Sequence, residues 1–240
     1  MKFTTNYSPN FDRKKRNQKQ VKFIIYHYTG MKKEINAVNK LTSHNSKVSS
    51  HYFVKNNGEI LNLVPDLYIA WHAGVSHWGK YNFLNKHSIG IEINNPGHEY
   101  LYKKFNNNQI KSVIRLSLYL IKKYKIKSKF ILGHSDISPY RKLDPGEKFP
   151  WKYLSKKKIG IWHNLKNKTL EKKRGQKIEK LEVNTFFNNL LKIGYSYNSR
   201  KKNIKFLIKA FQRRFRPELI NGLIDKECLI ISQNLLKKFK

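Results

Sequence analysis

The stretch GHSDISPYRKLDPG, residues 133–146, places His134, Lys142 and Asp144 within eleven positions, at the end of a short apolar strand made of Phe130, Ile131 and Leu132. An imidazole and a carboxylate are two of the three protein ligands that a catalytic zinc needs, the fourth position being kept for water. A lysine between them can face an oxygen that becomes negative during reaction. The third ligand must come from elsewhere, and VKFIIYHYTG runs a buried strand straight into His27. Glu92, in HSIGIEINN, is the candidate general base. It shares a strand face with Gly90 and Asn94, opposite Ile89, Ile91 and Ile93, so its side chain points away from the isoleucine core. With His27, His134 and Asp144 as metal ligands, Glu92 as base and Lys142 as oxyanion stabiliser, the residues describe a metal hydrolase site assembled from distant strand ends, with zinc as the expected metal. Taken singly, each has a plainer explanation. Nine histidines make chance pairs abundant, Glu92 suits a salt-bridged surface, and Lys142 is one of many lysines. The combination carries the reading.

Other residues are expected near the same cleft. Trp71 and His72 in AWHAG set an aromatic beside a polar ring, which suits a sugar or a peptide; the alternative is a core Trp71 and a hydrogen-bonded loop His72. Tyr28, next to His27, and Asn94, near Glu92, are further candidate substrate contacts. His51 precedes an apolar strand and is a candidate support for the ligands. His44, His77, His87, His98 and His163 read as surface or packing residues.

The elements that must position this set interleave as α/β. Residues 21–28 form a strand with apolar residues on both faces, as in a strand covered on each side. A helix over about 32–41 follows, then two strands around Asn57-Gly58 in HYFVKNNGEILNLV, a hairpin signal. Ile110, Val113, Ile114, Ser117, Leu118 and Ile121 fall at helical spacing over 107–124. PWKYLSKKKIG reads as a short closing helix. The expected fold is a mixed central sheet flanked by helices over 21–165, followed by a small three-helix domain over 178–240. In that domain Ile204, Leu207, Ile208 and Phe211 line one helix face, and a last helix covers about 225–238. Residues 1–20 are polar and basic, expected as a loosely held arm, and the charged stretch 166–177 is expected as a linker.

Composition sets outer bounds. The chain has 240 residues, 39% hydrophobic, with 14 Phe and 14 Tyr, enough for a sizeable core. Fifty Lys+Arg against 15 Asp+Glu give a formal charge of +35, which favours anionic ligands. Abundant Lys, Asn and Ile also fit an A/T-rich coding sequence, which inflates basicity without a binding role. The charge alone would suggest nucleic acid, but no RNP, KH or zinc-finger pattern accompanies it, so no specific nucleic acid is expected. The single cysteine, Cys228, excludes an intramolecular disulfide and reads as a core residue. The N-terminus has no apolar signal region or lipid-accepting cysteine, and no run of about 20 apolar residues is present to span a membrane. A cytoplasmic location is expected on that basis, with the periplasm by another route as the alternative. Oligomeric state has no signature in the sequence.

HYTG, SSHYFV, AWHAG, SIGIEINN and GHSDISPYRKLDPG occur in the order typical of type-2 N-acetylmuramoyl-L-alanine amidases, and the chain resembles that family over about 21–160. The resemblance implies a mixed sheet flanked by helices and one zinc ion per chain. It implies cleavage of the bond between the lactyl group of N-acetylmuramic acid and L-alanine, in peptidoglycan or muropeptide fragments. Carried over by motif, His27 in HYTG, His134 in GHSD and Asp144 in KLDPG match the zinc ligands, and Glu92 in GIEIN and Lys142 in RKLDPG match the catalytic pair. IKAFQRRFRPELINGLIDKECL resembles the helical peptidoglycan-binding module that often follows such amidases; the alternative is a helical cap that only stabilises the enzyme or pairs two copies. A competing reading of the whole chain is a non-catalytic peptidoglycan-binding protein on the same fold. Members of that kind lose a zinc ligand, and this chain keeps all three.

Overall fold

The computed structural model describes residues 3–196 and 204–239. Ten strands are present among them: β1 (Thr4–Thr5), β2 (Phe11–Asp12), β3 (Phe23–Tyr28), β4 (Tyr52–Val54), β5 (Ile60–Asn62), β6 (Ile69–Ala70), β7 (His77–Trp78), β8 (Tyr81–Asn82), β9 (Ser88–Ile93) and β10 (Ile131–Gly133). Six form one sheet in the order β1-β5-β4-β9-β3-β10, in which only the β4–β5 hairpin is antiparallel. The expected mixed sheet is therefore present, with parallel β4, β9, β3 and β10 at its heart. Ile24, Ile25, Tyr26, Ile89, Ile91, Ile93, Ile131 and Leu132 are sealed from solvent. Strands apolar on both faces need cover on both faces.

The helices are α1 (Glu34–Thr42), α2 (Asn107–Tyr124), α3 (His134–Ile137), α4 (Trp151–Ser155), α5 (Asn167–Lys173), α6 (Lys180–Ile193), α7 (Ile204–Phe215) and α8 (Lys226–Phe239). On one side α1 packs Ala37, Val38 and Leu41 against Phe53, Leu61 and Leu63. On the other, α2 lies against β3, where Tyr26 donates its hydroxyl hydrogen to Ser117 Oγ. That helix starts where the sequence places it because Asn106 and Gln109 cap each other's backbone N–H. The hairpin turn requires glycine at position 58: its φ is +86°, and a Cβ would come within 2.8 Å of the Asn108 carbonyl oxygen.

Two segments differ from expectation. Residues 3–20 are not a loose arm. Phe3 packs on Tyr52 and Tyr119, β1 and β2 join sheets, and the Arg16 guanidinium, 5% exposed, donates to the carbonyls of Asp66 and Asn85. The polar residues that made the segment look solvated satisfy backbone carbonyls that loops leave unpaired. The stretch 166–177 is not a bare linker either. It contains α5, buries Leu170, and fixes Arg174 on the buried Glu227 at 2.7 and 2.8 Å. One leucine and one bidentate ion pair order a segment whose composition reads as solvent-exposed. The three helices α6–α8 follow, and their core is continuous with that of the sheet: Trp78 meets Tyr195 at 4.7 Å, and Trp162 meets Phe215 at 5.9 Å. Cys228 is fully buried there, and burial pushes its thiol up to about 12.

Candidate active site

The site lies at the carboxyl ends of the parallel strands, where an open sheet leaves a crevice. His27 is the fifth residue of β3, and strand register sets it directly beside Glu92 of β9. Gly133 pairs with Tyr26, so the chain leaves β10 next to His27, and His134 opens α3. Asp144 is brought back by its own backbone: the Ser135 N–H donates to the Asp144 carbonyl at 2.8 Å. These three side chains meet. His27 Nδ1 lies 3.0 Å from His134 Nδ1 and 2.9 Å from Asp144 Oδ2, and His134 Nδ1 lies 3.0 Å from the same oxygen.

The far sides of the rings fix their tautomers. His134 Nε2 sits 3.1 Å from the Ala73 carbonyl, which only accepts, so Nε2 carries the hydrogen. On the other ring a chain runs inward. The Ser88 hydroxyl donates to the Leu84 carbonyl and therefore accepts from His72 Nε2; His72 Nδ1 in turn accepts from His27 Nε2 at 3.0 Å. In their neutral forms both ligand rings thus present bare Nδ1 atoms toward Asp144. Burial, with His134 alongside, lowers His27 to about 4, and burial also depresses His72. For Asp144, burial pushes upward, and only rings that carried a proton on Nδ1, His134 and His27, would outweigh it and hold the carboxyl far below its usual range. Three acceptors, with no proton between them, converge on one point. A triangle with sides of 2.9–3.0 Å leaves a point about 2.0 Å from every corner, the usual zinc–nitrogen and zinc–oxygen distance. Among the described residues these three form the group that can hold a metal ion.

Glu92 and Lys142 line the same cavity, of about 410 Å³, with Tyr28, Trp71, His98 and Lys40. Glu92 is partly buried, and its Oε2 has no hydrogen-bond partner among the described residues. Burial and the nearby Asp144 charge push its carboxyl well above the ordinary value, with Lys142 and Lys40 opposing. A carboxyl group on this cavity wall with a raised proton affinity has the form of one that can take up and return a proton.

The candidate substrate contacts divide. Tyr28 and Trp71 do face the cavity; the Tyr28 hydroxyl pairs with His98 Nδ1 at 2.9 Å, and the Trp71 indole N–H donates to Asp12 at 2.7 Å. His72 reaches the cavity wall, but both its ring nitrogens are engaged, by His27 and by Ser88, so it supports a ligand. Asn94 is 6% exposed, lies just beyond β9 and outside the cavity lining, and accepts from Thr29. His51 lies one layer further back, taking the Gly90 N–H on Nδ1, with its ring centroid 5.6 Å from that of His72. Sequence reasoning missed Ser88, Gly90 and His98. A Cβ at Gly90 would stand 2.4 Å from the His72 ring, so the small residue makes room for the support chain. The signal was present in SIGIE, where small residues share the face that carries Glu92.

A mixed α/β sheet whose parallel strand ends gather two imidazoles, a carboxylate and a buried glutamate has the make-up of a mononuclear metal hydrolase. Within that class, the chain belongs to the N-acetylmuramoyl-L-alanine amidase family, whose model matches residues 17–147. It is 33% identical over 234 residues to the N-acetylmuramoyl-L-alanine amidase AmiD of Escherichia coli, covering 92% of this chain and 84% of AmiD. The structure of that enzyme with its substrate anhydro-N-acetylmuramic acid-L-Ala-D-γ-Glu-L-Lys superposes with a TM-score of 0.81, over 91% of this chain and 90% of that one. AmpDh3 of Pseudomonas aeruginosa, in complex with an anhydromuramic pentapeptide, superposes with a TM-score of 0.80 at 29% identity, over 95% and 94% of the two chains. The 1,6-anhydro-N-acetylmuramyl-L-alanine amidase AmpD of Haemophilus influenzae is 40% identical over 111 residues, 45% of this chain and 58% of its own length. Among the described residues no helix is long and apolar enough to cross a membrane.

Proposed function

We propose that this protein is a zinc amidase that hydrolyses the bond between the lactyl group of anhydro-N-acetylmuramic acid and L-alanine in muropeptides. The observation that carries the reading is the convergence of two bare imidazole nitrogens and one carboxylate oxygen in the cavity that Glu92 lines. His27, His134 and Asp144 would hold the metal. When bound there, zinc supplies Lewis acidity and brings the pKa of a water to about 7.

The chain's own residues do the rest. Glu92, with its raised proton affinity, takes the proton of the attacking water and returns it to the departing alanine nitrogen. Lys142, on the cavity wall, faces the oxygen that gains negative charge as the amide carbonyl is attacked. Tyr28 and Trp71 supply flat surface for sugar or peptide. Lys40, Arg141 and Lys142 give the cleft a positive rim, which complements the carboxylates of a stem peptide.

The test is turnover of a defined anhydro-muropeptide by wild type, Glu92→Gln and Lys142→Ala, each with its zinc content measured. The expected result is full zinc occupancy in all three, with kcat reduced by about 100- to 10,000-fold for Glu92→Gln and about 100- to 1,000-fold for Lys142→Ala. Undiminished turnover by zinc-loaded Glu92→Gln would remove it as the base.

A further inference from the structure

We propose that the C-terminal helices are a working part of the metal site: Arg214 and Tyr195, acting through Asp136, position His134. This rests on the reading of His27, His134 and Asp144 as metal ligands. The helix that begins at His134 is only four residues long, too short to hold its own shape or direction. Something outside must fix it.

What fixes it is Asp136, two residues on and 1% exposed. Its Oδ2 accepts the Gly133 N–H at 2.7 Å and pairs with Arg214 Nη1 of α7. Its Oδ1 accepts the Tyr195 hydroxyl at 2.6 Å, from two residues beyond the end of α6. The same guanidinium donates through Nη2 to the Ile131 carbonyl at 3.0 Å and stacks over Trp151, 4.1 Å from the ring centroid. Arg214 therefore bridges the strand that precedes His134 and the carboxylate that follows it. Because the Ser135 N–H also holds the Asp144 carbonyl, a shift of this short helix displaces two of the three ligands together. Arg214 and Tyr195 touch neither the cavity nor the ligand atoms, so they are positioning residues.

A buried ion pair can also serve stability alone, and breaking it from one side is costly whatever its role. The experiment must read the metal site directly. Full-length wild type, Arg214→Met, Arg214→Lys and Tyr195→Phe are titrated with zinc against a chromogenic chelator. Circular dichroism defines the folded fraction at the same temperature. The expected result is zinc affinity about 10- to 100-fold weaker in folded Arg214→Met, partial recovery in Arg214→Lys, and a several-fold loss in Tyr195→Phe, the range seen when outer partners of ligands are removed. If Arg214→Met does not fold, Tyr195→Phe, which loses one hydroxyl, decides. Wild-type zinc affinity in the folded variants would overturn the proposal and leave the pair a stabilising contact. The readouts separate the two claims: wild type that binds zinc but cleaves no muropeptide refutes the amidase reading only, whereas wild type that binds no zinc refutes both.

Discussion

His72→Phe keeps a ring in place and removes the acceptor that fixes the His27 tautomer. In the wild type the His27 Nε2–H donates to His72 Nδ1 at 3.0 Å, which leaves Nδ1 bare on the ligand side. In the variant, metal-free His27 has an escape: it can move its hydrogen to Nδ1 and donate to Asp144 Oδ2, 2.9 Å away. The metal-loaded form has none, because its Nδ1 must stay bare and the Nε2–H is left buried without a partner. The penalty for an orphaned buried donor, about 1–3 kcal/mol, therefore falls selectively on the loaded state. That corresponds to zinc binding weakened by roughly 5- to 150-fold at 25 °C. Competition with a chromogenic chelator measures the affinity, and circular dichroism checks that the metal-free variant keeps its fold. A folded His72→Phe protein that binds zinc as tightly as the wild type would refute the tautomer chain.

The other predictions probe the walls of the site and the fold behind it. Burial raises the Glu92 carboxyl in the folded state, so its contribution to stability is full below the ordinary value of 4.5 and is lost as pH rises through the raised one. Metal-free Glu92→Gln should accordingly melt above wild type at pH 8, with the gap closing as pH falls through the raised value toward 4.5; a gap that widens toward acid would reverse the sign. Gly90→Ala drives a methyl to 2.4 Å from the His72 ring. It should lower stability by about 1–3 kcal/mol in urea unfolding and weaken zinc binding with it. Leu170→Ala, in the segment whose composition suggests a linker, should lower stability by about 2–3 kcal/mol, since the side chain is 7% exposed; no change would mean that the segment is only draped on the surface.

The candidate site was legible in the sequence because its residues sit at punctuation. His27 ends an apolar strand, His134 follows another, Asp144 precedes Pro-Gly, and strict alternation in SIGIEI sends Glu92 away from its isoleucines. Periodicity likewise gave the helix over 107–124, since capping and amphipathicity are local. What escaped depends on register between distant strands. Ile25 pairs with Gly90 and His27 with Glu92, and that pairing turns the Gly90 face toward His72, whose Nδ1 meets His27, so His72 backs a candidate ligand. The order of residues 3–20 escaped because Arg16 pairs with carbonyls, which no side-chain pattern reveals. The grip of Arg214 on Asp136 joins motifs that the sequence shows only as separate marks of an amidase and a helical module.

The central claim is most directly tested by hydrolysing a defined anhydro-muropeptide in heavy-oxygen water, with and without a zinc chelator, and weighing the products by mass spectrometry. The account predicts a free peptide that starts at L-alanine and carries no label, and an anhydro-N-acetylmuramic acid that carries one heavy oxygen in its lactyl carboxylate. Both should vanish with chelator and return with added zinc. Intact substrate in the presence of fully zinc-loaded protein, or cleavage at any other bond, would contradict it.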